Sequence, residues 1–271
     1  MAQTGHLTRA PAAAEPWLSP VTRLRIIILV TILAIWEGVA ASGILLREVV
    51  PSVVTIGRAL AELLFHPDLK VSGTDMMIPA FYWHLYVTIS EVATALVIGG
   101  FAGLAVGLAL GANPFLSKAF ERYLYYLGPT PKIVFFPVMI MWFGVGVESK
   151  IAMGTLSCFF PVVLSAAAGM RQIEGVLIRV GRSFRLSTSQ MVTKIYLPAM
   201  REPIVNGVRL GMGVAMIGTL LAETKLSNKG VGFMIIDAYN TFDMPRMYAV
   251  LLVLFAIAIG ANALVGRASR R

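Results

Sequence analysis

Few residues of this 271-residue chain have types and spacings that do chemistry. The histidines, His6, His66 and His84, lie far apart and share no H-E-x-x-H spacing, so the sequence assembles no metal site. No G-x-x-x-x-G-K-[ST] run is present, which excludes a P-loop cradle for nucleotide phosphates. No G-x-S-x-G turn is present to raise a nucleophilic serine. The single cysteine, Cys158, sits in an apolar run; it allows no disulfide within the chain and reads as a small packing residue. What remains is a set of ionisable side chains inside apolar stretches: Glu37, Glu91, Lys132 and Arg209. A charge there is costly and faces a bundle interior or water. Each therefore reads either as part of a polar pathway or as a structural pairing between helices, with snorkelling to the headgroups open to Arg209. Such an inventory suits a protein that moves a solute rather than one that remakes bonds, and we expect no catalytic residue, metal or bound cofactor.

The elements that hold these residues follow from composition. With 57% hydrophobic and 14% charged residues and a mean hydropathy of +0.78, the chain is too apolar for an ordinary soluble domain and reads as an all-α polytopic membrane protein. Apolar stretches of spanning length run over 26–46, 85–110, 124–143, 151–168, 204–221 and 247–265. Pro129, Pro131 and Pro137 break any regular helix in the third, which therefore demands neighbours to satisfy the freed carbonyls. Six spans place both termini on one side. With the N-terminus inside, cytoplasmic segments receive about twice as many Lys and Arg as outer ones, which selects cytoplasmic N- and C-termini. Anionic lipid then accounts for the formal charge of +9, and no nucleic-acid partner is expected. Residues 1–25 form a cytoplasmic tail without a secretory cleavage signal, because the apolar run after them is a full span.

Two further patterns organise the single membrane domain expected over 26–271. Val53, Ile56, Leu60 and Leu63 recur at helical spacing after a capping Ser52, predicting an amphipathic helix near 52–64 on the outer surface; the segment from His66 to Pro79 reads as loop. Gly99, Gly103, Gly107 and Gly111 fall at four-residue intervals on one face of the second span, a stripe that lets another backbone approach closely.

Between the fourth and fifth spans the chain turns polar and cationic, "RVGRSFRLSTSQMVTKIYLP" (Arg179–Pro198). Ile173, Val176, Leu177, Val180 and Phe184 make one apolar helix face. Ser187 and Gln190 then have capping-box spacing, and Met191, Val192, Ile195 and Tyr196 start a second amphipathic helix limited by Pro198. The prediction is a helix, a turn and a second helix at the inner membrane surface, presenting Arg182, Arg185, Ser187, Ser189 and Gln190. Such an element fits a groove on another protein.

This stretch resembles the cytoplasmic "EAA" loop of ABC importer permeases, membrane subunits whose loop inserts into a separate ATPase. The flanks "LGPTPKIVFFPVMIMWFGVGVESKI" (Leu127–Ile151), "FFPVVLSAAAGMRQI" (Phe159–Ile173), "PIVNGVRLGMGVAMIGTLLAE" (Pro203–Glu223) and "NKGVGFMI" (Asn228–Ile235) are similar to the nitrate/sulfonate/taurine-type branch of that family. The resemblance implies a type I ABC importer permease fold in a bacterial cytoplasmic membrane. It implies a coupling loop near 171–201 that contacts the ATPase through Arg179, Gly181, Arg182, Ser183, Phe184, Arg185, Leu186, Ser187, Gln190, Leu197 and Pro198. The implied partners are a second copy of the chain, two ATP-binding subunits that use ATP and Mg, and an extracytoplasmic solute-binding protein. The cargo would be a small solute such as a sulfonate or nitrate. Two positions depart from the family: Arg179-Val180-Gly181 stands where Glu-Ala-Ala is usual, and Arg185 where the turn glycine is usual. Arg185 must then adopt a left-handed turn or use a different one. Glu91, Met139 and Phe143 are candidate pathway-lining positions, with helix packing as the other reading. The alternative is an ion-coupled secondary transporter with Glu37 and Glu91 as its coupling carboxylates, which would leave the cytoplasmic double helix without a role.

Overall fold

The computed structural model describes residues 19–43, 49–67, 69–70, 77–225 and 227–269, with 69–70, 77–78 and 268–269 described by backbone only. Most of the expected N-terminal tail lies outside the described residues, as do Arg270 and Arg271. The described residues are almost wholly helical. They form two compact units, 1–54 and 55–271.

The first unit holds helix α1 (Pro20–Ser42). Ser19 caps it through the Thr22 amide, and Gly43 ends it in the left-handed conformation, φ 69°. Glu37 accepts a hydrogen bond at 2.9 Å from the amide of Val53, the first residue of α2 (Val53–Phe65). This carboxylate therefore satisfies an orphan helical N–H and complements the helix dipole.

In the second unit, Ile56 and Leu63 bury the apolar side of α2; Leu63 meets Phe81, Val231, Met234, Ala249 and Val250. Across the segment read as loop, Leu69–Lys70 (β1) pairs antiparallel with Met77–Ile78 (β2). The centre is a sandwich of three long helices, α3 (Ala80–Ala112), α6 (Val147–Arg171) and α10 (Arg201–Glu223). The glycine stripe explains the first interface. A Cβ at Gly103 would sit 2.9 Å from the Phe159 carbonyl and from Val162 Cβ, and Cβ atoms at Gly99, Gly107 and Gly111 would overlap Cys158, Ala166 and Met170. Backbone-to-backbone contact replaces side-chain interdigitation along α3 and α6. Gly207 and Gly211 repeat the device between α10 and α6, against Ser165 and Val162. Cys158 is fully buried in this seam, where its thiol donates to the Ala95 carbonyl.

The third expected span has a different form. Helix α4 (Pro114–Leu127) stops at the proline cluster, a 3-10 turn covers Lys132–Phe135, and α5 (Phe136–Phe143) leaves at 95° to α4. The physical reason is local: Pro129 and Pro131 carry no amide N–H to continue the helical hydrogen-bond ladder beyond Leu127. Among the described residues five helices are long and apolar enough to span, α1, α3, α6, α10 and α12 (Met244–Ser269), or six with the bent pair taken as one. Helix α11 (Val231–Asn240) lies between α10 and α12 in the chain and packs on both α12 and α2.

Candidate functional site

The polar segment is carried by the ends of two core helices. Arg171, the last residue of α6, pairs with Glu121 of α4 at 2.8 Å, and the fully buried Met200 packs with Ala166 and Met170 before α10 begins. Between these anchors run α7 (Gly175–Ser183), a turn, α8 (Thr188–Met191), a π turn (Val192–Tyr196) and α9 (Leu197–Ala199). The wider π turn lets the helical run continue through Pro198, whose missing amide would otherwise end it. The second helix thus reaches Ala199, one residue past the limit that the proline suggests.

Gly181 is the pivot. It is buried, and a Cβ there would overlap Met191 Sδ and lie 2.5 Å from Ile195 Cδ1, so a side chain at this position has to displace the ends of Met191 and Ile195. The turn closes through Leu186 N donating to the Gly181 carbonyl at 3.1 Å and Arg185 N donating to the Arg182 carbonyl at 2.9 Å. Arg185 adopts φ 48°, the left-handed form that a glycine would take without steric cost. Ser187 and Gln190 form the reciprocal capping box, each side chain bonded to the other's backbone amide at 3.3 and 2.9 Å. Arg179, Arg182, Ser183, Phe184, Arg185, Ser187, Gln190 and Pro198 are exposed, while Leu186 and Leu197 are half-buried. Val176, Leu177 and Val180 are also exposed, and Phe184 is 76% exposed. An apolar face flanked by arginines is therefore uncovered in the isolated chain.

A second polar assembly lies at the opposite ends of α6 and α10. Glu223 is fully buried; its carboxylate accepts from Thr88 Oγ1 at 2.7 Å and from the Gly232 amide at 2.6 Å. Thr88 Oγ1 in turn accepts from the Val231 amide at 2.8 Å, and His84 Nδ1 accepts from the Gly230 amide at 3.0 Å. Gly230 has φ 99°, and the Glu223 carboxylate occupies the space a Cβ would need. Lys150 donates to Ser227 Oγ at 2.8 Å and faces Glu91 at 3.9 Å. These contacts clamp the turn before α11 onto α3, α6 and α10. Among the described residues, neither Glu91 oxygen accepts a hydrogen bond from a donor group, although the residue is fully buried.

Of the three candidate lining residues, Glu91 therefore belongs to the clamp. Met139 packs with Phe136, Met153 and Ala222. Phe143 is 48% exposed and lines, with Met139 and Trp142, an apolar groove of about 600 Å3. The structure does not bring these three into one polar pathway. Sequence reasoning did not single out Lys150, Thr88 or Glu223. Their only sign was a charged residue near the end of an apolar stretch.

The family described as "Binding-protein-dependent transport system inner membrane component" matches residues 95–271, which include the whole helix–turn–helix and, of the second assembly, Lys150, Glu223 and the turn before α11. The chain belongs to this family. The permease is 30% identical over 226 residues to SsuC of Bacillus subtilis (strain 168), named for aliphatic sulfonates transport; the match covers 83% of this chain and 77% of that one. It is 29% identical to the taurine transport system permease protein TauC of Escherichia coli (strain K12), covering 93% and 91%. It is 24% identical to the nitrate import permease protein NrtB of Leptolyngbya laminosa, covering 76% and 72%. Its fold matches a chain of the MetNI methionine ABC transporter in an inward-facing conformation, with a TM-score of 0.61 over 68% of this chain and 92% of that one at 18% identity. The permease is thus a multi-pass inner-membrane subunit of an ABC importer with the type I helical fold.

Proposed function

We propose that this permease forms, with a second copy of itself, the translocation pathway for a small anion handed over by an extracytoplasmic solute-binding protein. Two ATP-binding subunits engage the segment from Gly175 to Ala199. ATP and Mg2+ are used by those subunits, and this chain itself is not catalytic. Both termini face the cytoplasm, so the coupling segment is cytoplasmic and the Glu91–Glu223 clamp lies toward the outer face. The relatives are named for sulfonates, taurine and nitrate, which supports a small oxyanion or sulfonate as cargo.

The observation that carries this reading is the exposed apolar and cationic face of the helix–turn–helix, built on the ends of α6 and α10. These two helices hold the clamp about 30 Å away at a rise of ~1.5 Å per residue. A partner that moves the coupling segment therefore acts on rigid levers that run to the other side of the membrane. Charge reversal at both Arg182 and Arg185 tests the reading: co-purification of the ATPase subunit and ATP-driven uptake both fall while the permease stays folded. Normal uptake by that variant counts against their role in docking. The ion-coupled alternative loses a coupling group, because Glu37 is engaged in capping α2.

A further inference from the structure

Lys132 is an intramembrane ionisable residue that neither the coupling segment nor the clamp uses. It stands where the chain breaks between α4 and α5, and its ammonium donates to the Leu127 carbonyl at 3.2 Å and to the Gly128 carbonyl. Those bonds complement the negative C-terminal end of α4. They engage two of the three N–H groups that a lysine carries. The ammonium also lies over Phe160, with Nζ 5.0 Å from the ring centroid.

Beside this lysine is a cavity of about 320 Å3, within the range of small-ligand sites. The break residues form one wall, Met153, Ser157 and Pro161 of α6 a second, and Val214, Ile217 and Gly218 of α10 a third. Ser157 is ten residues past the start of the 25-residue α6, or ~15 Å along a helix of ~37 Å, so the cavity lies at mid-membrane depth. Among the described residues, Lys132 is the only charged side chain in its lining. Ionisable residues inside a membrane mark substrate pathways, and in secondary transporters discontinuous helices at the midplane bind the cargo.

We propose that this cavity is a transient anion subsite, in which the remaining N–H of Lys132 holds a sulfonate, nitrate or similar oxyanion on its way through the membrane. The inference rests on the permease reading above and adds the position of the cargo. A single half-exposed ammonium binds weakly, which suits a subsite that must also release. Ile217 and the proline-flanked break give the apolar remainder of a larger solute a surface to pass along.

The test uses the assembled complex of permease, ATPase and solute-binding protein in proteoliposomes, with taurine, ethanesulfonate and nitrate supplied in turn. Uptake and binding-protein-stimulated ATP hydrolysis are measured side by side at saturating binding protein. Lys132→Gln lowers uptake about tenfold while hydrolysis and Tm hold, so more ATP is spent per solute moved; Lys132→Arg retains uptake. Ile217→Phe, which narrows the cavity and leaves the lysine in place, also lowers uptake without stopping hydrolysis. Wild-type uptake by Lys132→Gln overturns the subsite, as does a joint fall of uptake, hydrolysis and Tm, which would make Lys132 only the cap of α4. An absence of ATP-driven uptake of all three anions in the wild-type complex instead overturns the anion-cargo reading on which the subsite rests.

Discussion

Glu223→Ala probes the clamp most sharply, because its cost can be worked from named bonds. The substitution leaves the Thr88 hydroxyl and the Gly232 amide without their acceptor in a fully buried site. Each buried group so orphaned costs ~1–3 kcal/mol, or about 2–6 kcal/mol together. At ~2–4 °C per kcal/mol for a chain of this size, the detergent-solubilised protein melts on the order of 10 °C lower. Glu223→Gln keeps one oxygen acceptor and turns an amide NH2 toward the other donor, so about half the loss is expected. Thermal unfolding followed by loss of the monodisperse peak on size exclusion gives the Tm. A double-mutant cycle with Thr88→Val isolates the pair, with a coupling of ~0.5–3 kcal/mol expected. If Glu223→Ala melts within ~2 °C of wild type, or the two substitutions add without coupling, the clamp is not what holds the turn before α11.

The other expectations concern packing and coupling. Gly181→Val forces α7 off Met191 and Ile195, so ATPase co-purification falls while the spans, followed by helical circular dichroism, stay intact; undiminished co-purification refutes the pivot. Arg185→Gly relieves a left-handed residue and stabilises the permease by ~1 kcal/mol, read as a small rise in Tm. Gly103→Leu drives a side chain into Phe159 and Val162 and prevents accumulation of folded protein in the membrane, measured by monodisperse yield. Glu37→Gln keeps an oxygen for the Val53 amide and leaves uptake unchanged across a proton gradient. Collapse of gradient-driven uptake in that variant would favour the ion-coupled reading.

The parts legible in the sequence were those with a period or a local rule behind them. The four-residue glycine stripe specified that α3 packs backbone-close, and the structure identifies its partner as α6. Apolar periodicity with the Ser187–Gln190 spacing marked a helix, a turn and a helix, because capping is decided within four residues. The prolines at 129, 131 and 137 announced a break but not its 95° angle, which depends on what the two halves pack against. The clamp was the least legible. Thr88 and Glu223 are 135 residues apart, and no local pattern distinguishes a carboxylate that will be buried beneath a later turn from one that ends a helix in water. Glu91 and Lys132 did stand out as misplaced charges, yet one charge in an apolar stretch does not reveal which helices will surround it.

The central claim is that this chain is the membrane half of an ATP-driven machine. Its most direct test is solute uptake into proteoliposomes, comparing the permease alone, the permease with its ATPase, and both with the solute-binding protein. The account predicts no ATP hydrolysis by the permease alone, and uptake only when ATP, the ATPase and the loaded binding protein are all present. ATP hydrolysis by the purified permease, or uptake driven by an ion gradient without ATP, would contradict it.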